Sequence, residues 1–181
     1  MVRVVACARE LVVACPVALT IASMGNPYVF VGARDLGVHG TDALFADDPA
    51  LYAEMSEIRR TAQAALGWRP GVFPKIAALL PLRPGQLAVR AISVPSWHPT
   101  LALTGAVCLA ATACVPGTVP SQNAAGAARV LRVRTPGRWT AVEARVTCAG
   151  PVPALTDVRL HDTTVTHLGH VRLPAPATTG P

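Results

Sequence analysis

Three stretches of this chain carry side chains whose type and spacing could do chemistry. The first is Gly25-Asn26-Pro27, a turn between two apolar runs. Glycine and asparagine tolerate unusual backbone angles and proline fixes one, so a plain turn explains all three residues. The other reading is an amide held at a sheet end, where it would bond a polar substrate. The second stretch runs from Ser93 through Ser96 and His98 into Thr104-Gly105-Ala106. Thr104 is a reasonable helix cap, and the small residues behind it leave first-turn N–H groups open to a carboxylate. A helix start satisfied by Thr104 and water competes with that reading. His98 is of a type that takes or gives a proton at neutral pH, but a histidine beside prolines is more often a structural hydrogen-bonder. The third feature is Cys108, one turn further on among Val107, Leu109 and Ala110, where a thiol is expected to be inert core.

Other chemistries find little support. The five cysteines form no CxxC pair, so neither a zinc knuckle nor a disulfide framework is expected, and reduced thiols in a cytoplasm fit better. His161, His167 and His170 cluster with only Asp162 nearby, and no metal site is expected there. No phosphate loop, Rossmann glycine pattern, nucleophile elbow or paired-carboxylate arrangement occurs. A net charge of +6 invites a nucleic-acid reading. Yet the 16 basic residues are all arginine except Lys75, and they are scattered. The densest group is Arg129, Arg132, Arg134 and Arg138, where the Arg132/Arg134 alternation reads as the solvent face of a strand. No aromatics interleave for base stacking, so no nucleic-acid partner is expected. An anionic small molecule fits the same charge.

The elements that must position these residues follow from composition and periodicity. With 181 residues, 51% hydrophobic but only 4% aromatic, the chain can bury one aliphatic core. Seventeen prolines and fourteen glycines favour short elements joined by turns. Residues 11–22 and 28–32 read as strands, followed by a loop through Gly37 and Gly40. Asp48 caps a helix with Pro49 in its first position; Leu51, Met55, Ile58, Ala62 and Leu66 recur at helical spacing, and Gly67 stops it. Residues 75–80 and 87–92 read as strands around a turn at 81–85. The uncharged segment 104–114 reads as a helix buried on every side. Strands are expected at 129–135, 139–147, 155–160 and 168–173, with a loose tail at 174–181. The sum is α+β: one domain over 1–173, an antiparallel-leaning sheet curled around one buried helix, with a second helix outside.

The apolar run at 11–25 is broken by Pro16, Thr20 and Ser23 and is too short to span a bilayer, so no membrane partner is expected. Val12-Val13-Ala14-Cys15 resembles a lipoprotein cleavage box, but Arg9 and Glu10 stand where its apolar stretch should be. A surface lipoprotein anchored at Cys15 is the weakest of the readings, behind a cytoplasmic one.

In order and spacing the chain resembles the second half of PrpF-type proteins. The resemblance is carried by Gly25-Asn26-Pro27-Tyr28-Val29-Phe30-Val31, Asp35-Leu36-Gly37, Gly40-Thr41 and Glu57-Ile58-Arg59. It continues through Pro74-Lys75-Ile76-Ala77, Arg90, Ser93, His98, Thr104-Gly105-Ala106-Val107-Cys108 and Pro116-Gly117-Thr118-Val119. It implies half of a diaminopimelate-epimerase-like fold, in which two similar halves flank an active site. It also implies cofactor-independent isomerisation of unsaturated di- and tricarboxylic acids, as in aconitate and methylitaconate isomerases and oxalomesaconate tautomerases. On this resemblance Thr104, Gly105 and Ala106 hold a substrate carboxylate, while Asn26, Ser93 and His98 line the cleft. The related epimerase has a catalytic cysteine two residues before its Thr-Gly motif, where this chain has Ala102. Two departures stand out. The family's first half, expected to carry the proton-transferring lysine and cysteine, is missing, and Lys75 is a strand residue rather than its substitute. A His-Pro-Ser-Gly turn is replaced by Thr135-Pro136-Gly137-Arg138. The expected partners are a polycarboxylate and either a second copy or a separately encoded first half. The alternative is a non-catalytic carboxylate-binding or dimerising module.

Overall fold

The structure, a computed structural model, describes residues 17–125, 130–147 and 154–161. Period-two alternation sets its layers. In strand β2 (Asn26–Gly32), Tyr28 and Phe30 face one core while Val29 and Val31 face another. Strands β3 (Lys75–Arg83) and β4 (Gln86–Ser93) repeat the division, with Ala77, Leu79, Leu87, Val89 and Ala91 on the first side and Ile76, Ala78, Leu80, Ala88 and Ile92 on the second. Both faces are covered, which is why these strands read as nearly continuous apolar runs.

Completing the set are β1 (Leu19–Met24), the two-residue β5 (Ser96–Trp97), β6 (Val130–Arg134), β7 (Trp139–Thr147) and β8 (Ala154–His161). They form one eight-stranded sheet in the order β1-β2-β3-β4-β6-β7-β8, with β5 folded back on β4. Neighbours pair antiparallel except β2 with β3 and β4 with β6, which are parallel. A parallel pair needs a crossover. The first passes through α1 (Thr41–Phe45) and α2 (Pro49–Ala65), the second through α3 (Leu103–Ala113) and α4 (Val119–Asn123). The two crossovers leave strands of opposite direction while stepping the same way across the sheet. With a common hand, their helices must lie on opposite faces. So α2 packs on the outer face, while α3 lies inside the curl, touching β1, β2, β6, β7 and β8.

The expected α+β architecture with a central and an outer helix is therefore the observed one. Three expectations need correction. The loop through Gly37 and Gly40 holds a 3-10 turn at Arg34–Leu36 and the short helix α1. The turn expected at 81–85 shrinks to Pro84-Gly85, because β3 continues through Pro81 at a register shift between Pro81 and Arg83; a bulge is where a strand tolerates proline. Helix α3 starts at Leu103, one residue early, with a consequence for Thr104 given below. Residues 11–16, the strand expected at 168–173 and the tail lie outside the described residues. Arg132 is exposed on β6 as expected, while Arg134 is half-buried with its guanidinium over the Phe45 ring.

Candidate functional site

Helix α3 begins without a side-chain cap: its N-cap residue is Ala102, with extended φ −56° and ψ 147°. Thr104, expected as the cap, instead sits in the second helical position. Its hydroxyl accepts a 3.2 Å hydrogen bond from the Asn26 side-chain amide, joining the first residue of β2 to the helix start. The first three N–H groups of a helix lack an acceptor four residues back, so those of Leu103, Thr104 and Gly105 face outward along the axis. The Ala106 N–H is already bonded to the Ala102 carbonyl at 2.9 Å. Ala106 is thus part of the buried floor, and the groups free of intrahelical bonds lie just ahead of it.

The floor explains the glycine. A Cβ on Gly105 would stand 2.5 Å from the Tyr28 hydroxyl, 2.6 Å from its ring carbon Cζ and 3.0 Å from Leu101 Cδ1. Tyr28 is buried against the first turn of the helix, and only glycine leaves room for it. Burial pushes its hydroxyl up to about 12, with the Cys108 thiol adding to the shift. Burial likewise pushes the Cys108 thiol up to about 12, against the opposing effect of hydrogen bonding to Thr112 and to the Met24 backbone. Both groups keep their protons at neutral pH, so Cys108 is the inert core thiol that its apolar neighbours imply. Tyr28 escapes a reading based on local sequence alone, because its contact with Gly105 spans 77 residues of chain.

Ser93 and His98 lie on the loop that leads into α3. Ser93 is half-buried at the end of β4, in register with Ser96 of β5. The His98 N–H donates to the Ala91 carbonyl at 2.8 Å. Its ring Nδ1 lies 2.9 Å from the Thr100 carbonyl and accepts from the Thr100 N–H at 3.1 Å, the tautomer deciding which bond is made. The structure therefore joins Asn26 to Thr104, next to Gly105, and places Ser93 and His98 at the same end of the sheet without a hydrogen bond among the described residues to Asn26 or Thr104. The Thr135-Pro136-Gly137-Arg138 turn is closed by Thr135, which bonds the Arg138 carbonyl through both N–H and hydroxyl. It packs on the same loop: a Cβ on Gly137 would lie 3.3 Å from Thr100 Cγ2.

Strand direction gathers four connections at this end: residues 24–27, 66–75, 93–103 and 135–139. They contain no aspartate or glutamate, but they do contain Arg69, Lys75 and Arg138. Among the described residues, the exposed large apolar ones, Trp68, Val72, Val94, Leu103 and Trp139, all lie on them. The segment before β3 is clamped to α2 by Arg59, which donates to the Gly71 carbonyl, and by Gln63, which donates to those of Arg69 and Phe73. An uncapped helix start, four connections that carry basic but no acidic residues, and a buried floor suit a carboxylate. Among the described residues, no three metal-ligating side chains cluster, and no helix is long and apolar enough to cross a membrane.

Residues 11–149 match the family model described as PrpF protein. Among solved structures, methylitaconate-delta-isomerase superposes with a TM-score of 0.64 at 22% identity, over 80% of this chain and 45% of that one. A probable proline racemase from Agrobacterium radiobacter K84 gives 0.49 at 16% identity, over 77% of this chain and 41% of that one. A hydroxyproline epimerase from Agrobacterium vitis gives 0.48 at 14%, over the same two shares, 77% and 41%. The chain thus spans less than half the length of each. None of the curated proteins matches it. The curled sheet with its central helix is the fold of the matched part of the first structure, so the expected diaminopimelate-epimerase-like half is the fold observed.

Proposed function

The chain belongs to the PrpF family, and from that premise we propose that it serves a cofactor-independent isomerase of unsaturated di- or tricarboxylic acids, holding a substrate carboxylate at the start of α3. The observation that carries this reading is the open, acid-free first turn of a helix that is otherwise buried. Thr104 and Gly105 would bond the carboxylate through their N–H groups, with the Asn26 amide fixing the Thr104 hydroxyl beside them. When a proton leaves the adjacent carbon, charge spreads into that carboxylate. Fixed donors in a low-dielectric pocket then stabilise the charge as it develops. The proton itself needs a carrier. Cys108 and Tyr28, both near 12, do not supply one at neutral pH. The methylitaconate isomerase structure is more than twice as long as the part matched here, and a complementary half of that kind would bring the carrier. Ala102, in the place of the epimerase cysteine, favours acid isomerisation over amino-acid epimerisation.

Titration with cis-aconitate, followed by amide NMR, tests the reading. Shifts at Thr104 and Gly105 with weak affinity and slow or absent turnover are expected. Robust isomerisation by the chain alone, or shifts confined elsewhere, would refute it. The apolar residues Trp68, Val72, Val94, Leu103 and Trp139 favour a second reading as well, a binding module whose copies pair across this end. A strictly monomeric chain in sedimentation would count against that pairing.

A further inference from the structure

On the outer face of β4, directly behind the loop that carries Ser93 and His98, a cationic side chain is buried where an apolar one would have sufficed. Arg90 is almost fully buried, and its guanidinium lies over the Trp97 ring, 4.6 Å from the centroid. The same guanidinium pairs with the carboxylate of Asp47, which is itself exposed, and its Nε has no partner among the described residues. Trp97 meets Tyr52 of α2 edge-on, with centroids 5.2 Å apart and rings at 82°. The Tyr52 hydroxyl donates to the Pro95 carbonyl at 2.7 Å. These contacts all bear on one short segment. Pro95 and Trp97 are held from behind, β5 is paired to β4, and His98 follows with its N–H on Ala91. Two residues later, Thr100 packs against the turn at Gly137, and Leu101 is buried beside Gly105 at the helix start.

The geometry points to Arg90, with Asp47, Trp97 and Tyr52, as a positioning set that acts through the 93–98 loop to fix the mouth of α3. These residues touch no ligand. They hold the approach to the site from the opposite face of the sheet, where the cation gains from the ring because solvent is excluded from it. An aliphatic residue at position 90 would fill the core as well but would leave Trp97, and with it the turn to His98, held only by the two-residue strand β5, the Tyr52 ring and hydroxyl, and the His98 N–H on Ala91. The inference rests on the carboxylate reading of the site, and its test separates the two.

Arg90→Met, Arg90→Lys and Tyr52→Phe are compared with the natural chain by amide hydrogen exchange. The probe is the His98 N–H, with the Ala33 N–H, bonded to the Leu79 carbonyl at the far end of β2, as reference. Loss of a desolvated cation–ring contact predicts about a tenfold fall in His98 protection in Arg90→Met, with Ala33 unchanged. Arg90→Lys should recover part of it, and Tyr52→Phe should show a smaller local fall. Equal losses at both amides would mean a general role in folding and would overturn the inference. If Arg90→Met does not fold, Tyr52→Phe decides, because it removes only the bond to Pro95; unchanged His98 protection there overturns the inference too. Cis-aconitate is then titrated into the folded variants, and affinity at Thr104 and Gly105 should fall in Arg90→Met, because the loop that leads into the first turn of α3 is no longer held from behind. Undiminished affinity beside a loosened loop would overturn the link to the site. Absence of binding to the natural chain would refute the carboxylate reading while leaving the exchange result to judge the positioning of the loop.

Discussion

Helices α2 and α3 pack on opposite faces of one sheet, and they begin in opposite ways. The start of α2 is closed: Pro49 fills its first position and Asp48 accepts the Ala50 N–H at 2.8 Å. Its buried stripe of Leu51, Met55, Ile58 and Ala62 leaves the other side to solvent. The start of α3 has only Ala102 before it, and its buried residues surround the axis. A helix that needs only to be stable closes its first turn, at a gain of about 1 kcal/mol. Where that gain is forgone in a buried helix, its dipole is left for something outside the chain to meet. On the proposed carboxylate reading, α2 is the scaffold and α3 the instrument.

The sharpest way to separate the two layers is alkali. Cys108 and Tyr28 both lie on the α3 side, raised to about 12 from 9.0 and 10.0 respectively. The folded chain therefore keeps protons that the unfolded chain gives up. Their contribution is complete below pH 9. It is lost as the pH rises from about 9 to 12, at up to ~1.4 kcal/mol per pH unit for each group once the unfolded form is ionised. Melting curves across that window should show Cys108→Ala losing less stability than the natural chain; superimposable slopes would contradict the burial of the thiol.

Next in size is Gly105→Ala, which should destabilise by about 2 kcal/mol through overpacking. Tyr28→Phe should not rescue it, since Cζ remains 2.6 Å from the added carbon. Full rescue by phenylalanine would show that the hydroxyl alone sets the limit.

The smallest effects exchange the characters of the two helices. Asp48→Ala should cost about 1 kcal/mol and leave cis-aconitate binding unchanged. Ala102→Asp should do the reverse, adding up to about 1 kcal/mol while weakening binding, because its carboxylate would occupy the place meant for the ligand. If both changes moved stability and binding together, the distinction between scaffold and instrument would fail.

What the sequence could convey divides along the same line. The start of helix α2 is legible to the residue and its end to within one, because its signals are local: Asp48-Pro49 opens it, and Gly67, at φ 67°, follows the C-cap Leu66. The strands are legible from apolar runs bounded by turns, and α3 from an uncharged run. Threonine is a good cap by type, but Thr104 lies inside the helix and its hydroxyl bonds Asn26, 78 residues away, a contact that local sequence does not reveal. The parallel pairings of β2 with β3 and β4 with β6 leave no local mark either, since they follow from where the crossovers land. Asn26, Thr104 and Gly105 were found as candidates from type and spacing. Tyr28 was not, since an aromatic in a strand looks like any core residue until its neighbour is known to be glycine.

That contact has a consequence for descent. While position 28 holds a large ring, a side chain at position 105 costs stability, because the added carbon and the ring claim the same space. A lineage leaving glycine behind loses least by first shrinking residue 28, passing through an ancestor with a hollow beneath the helix mouth. Sterics favours that order, so the pair should tend to change together among the descendants of this sequence.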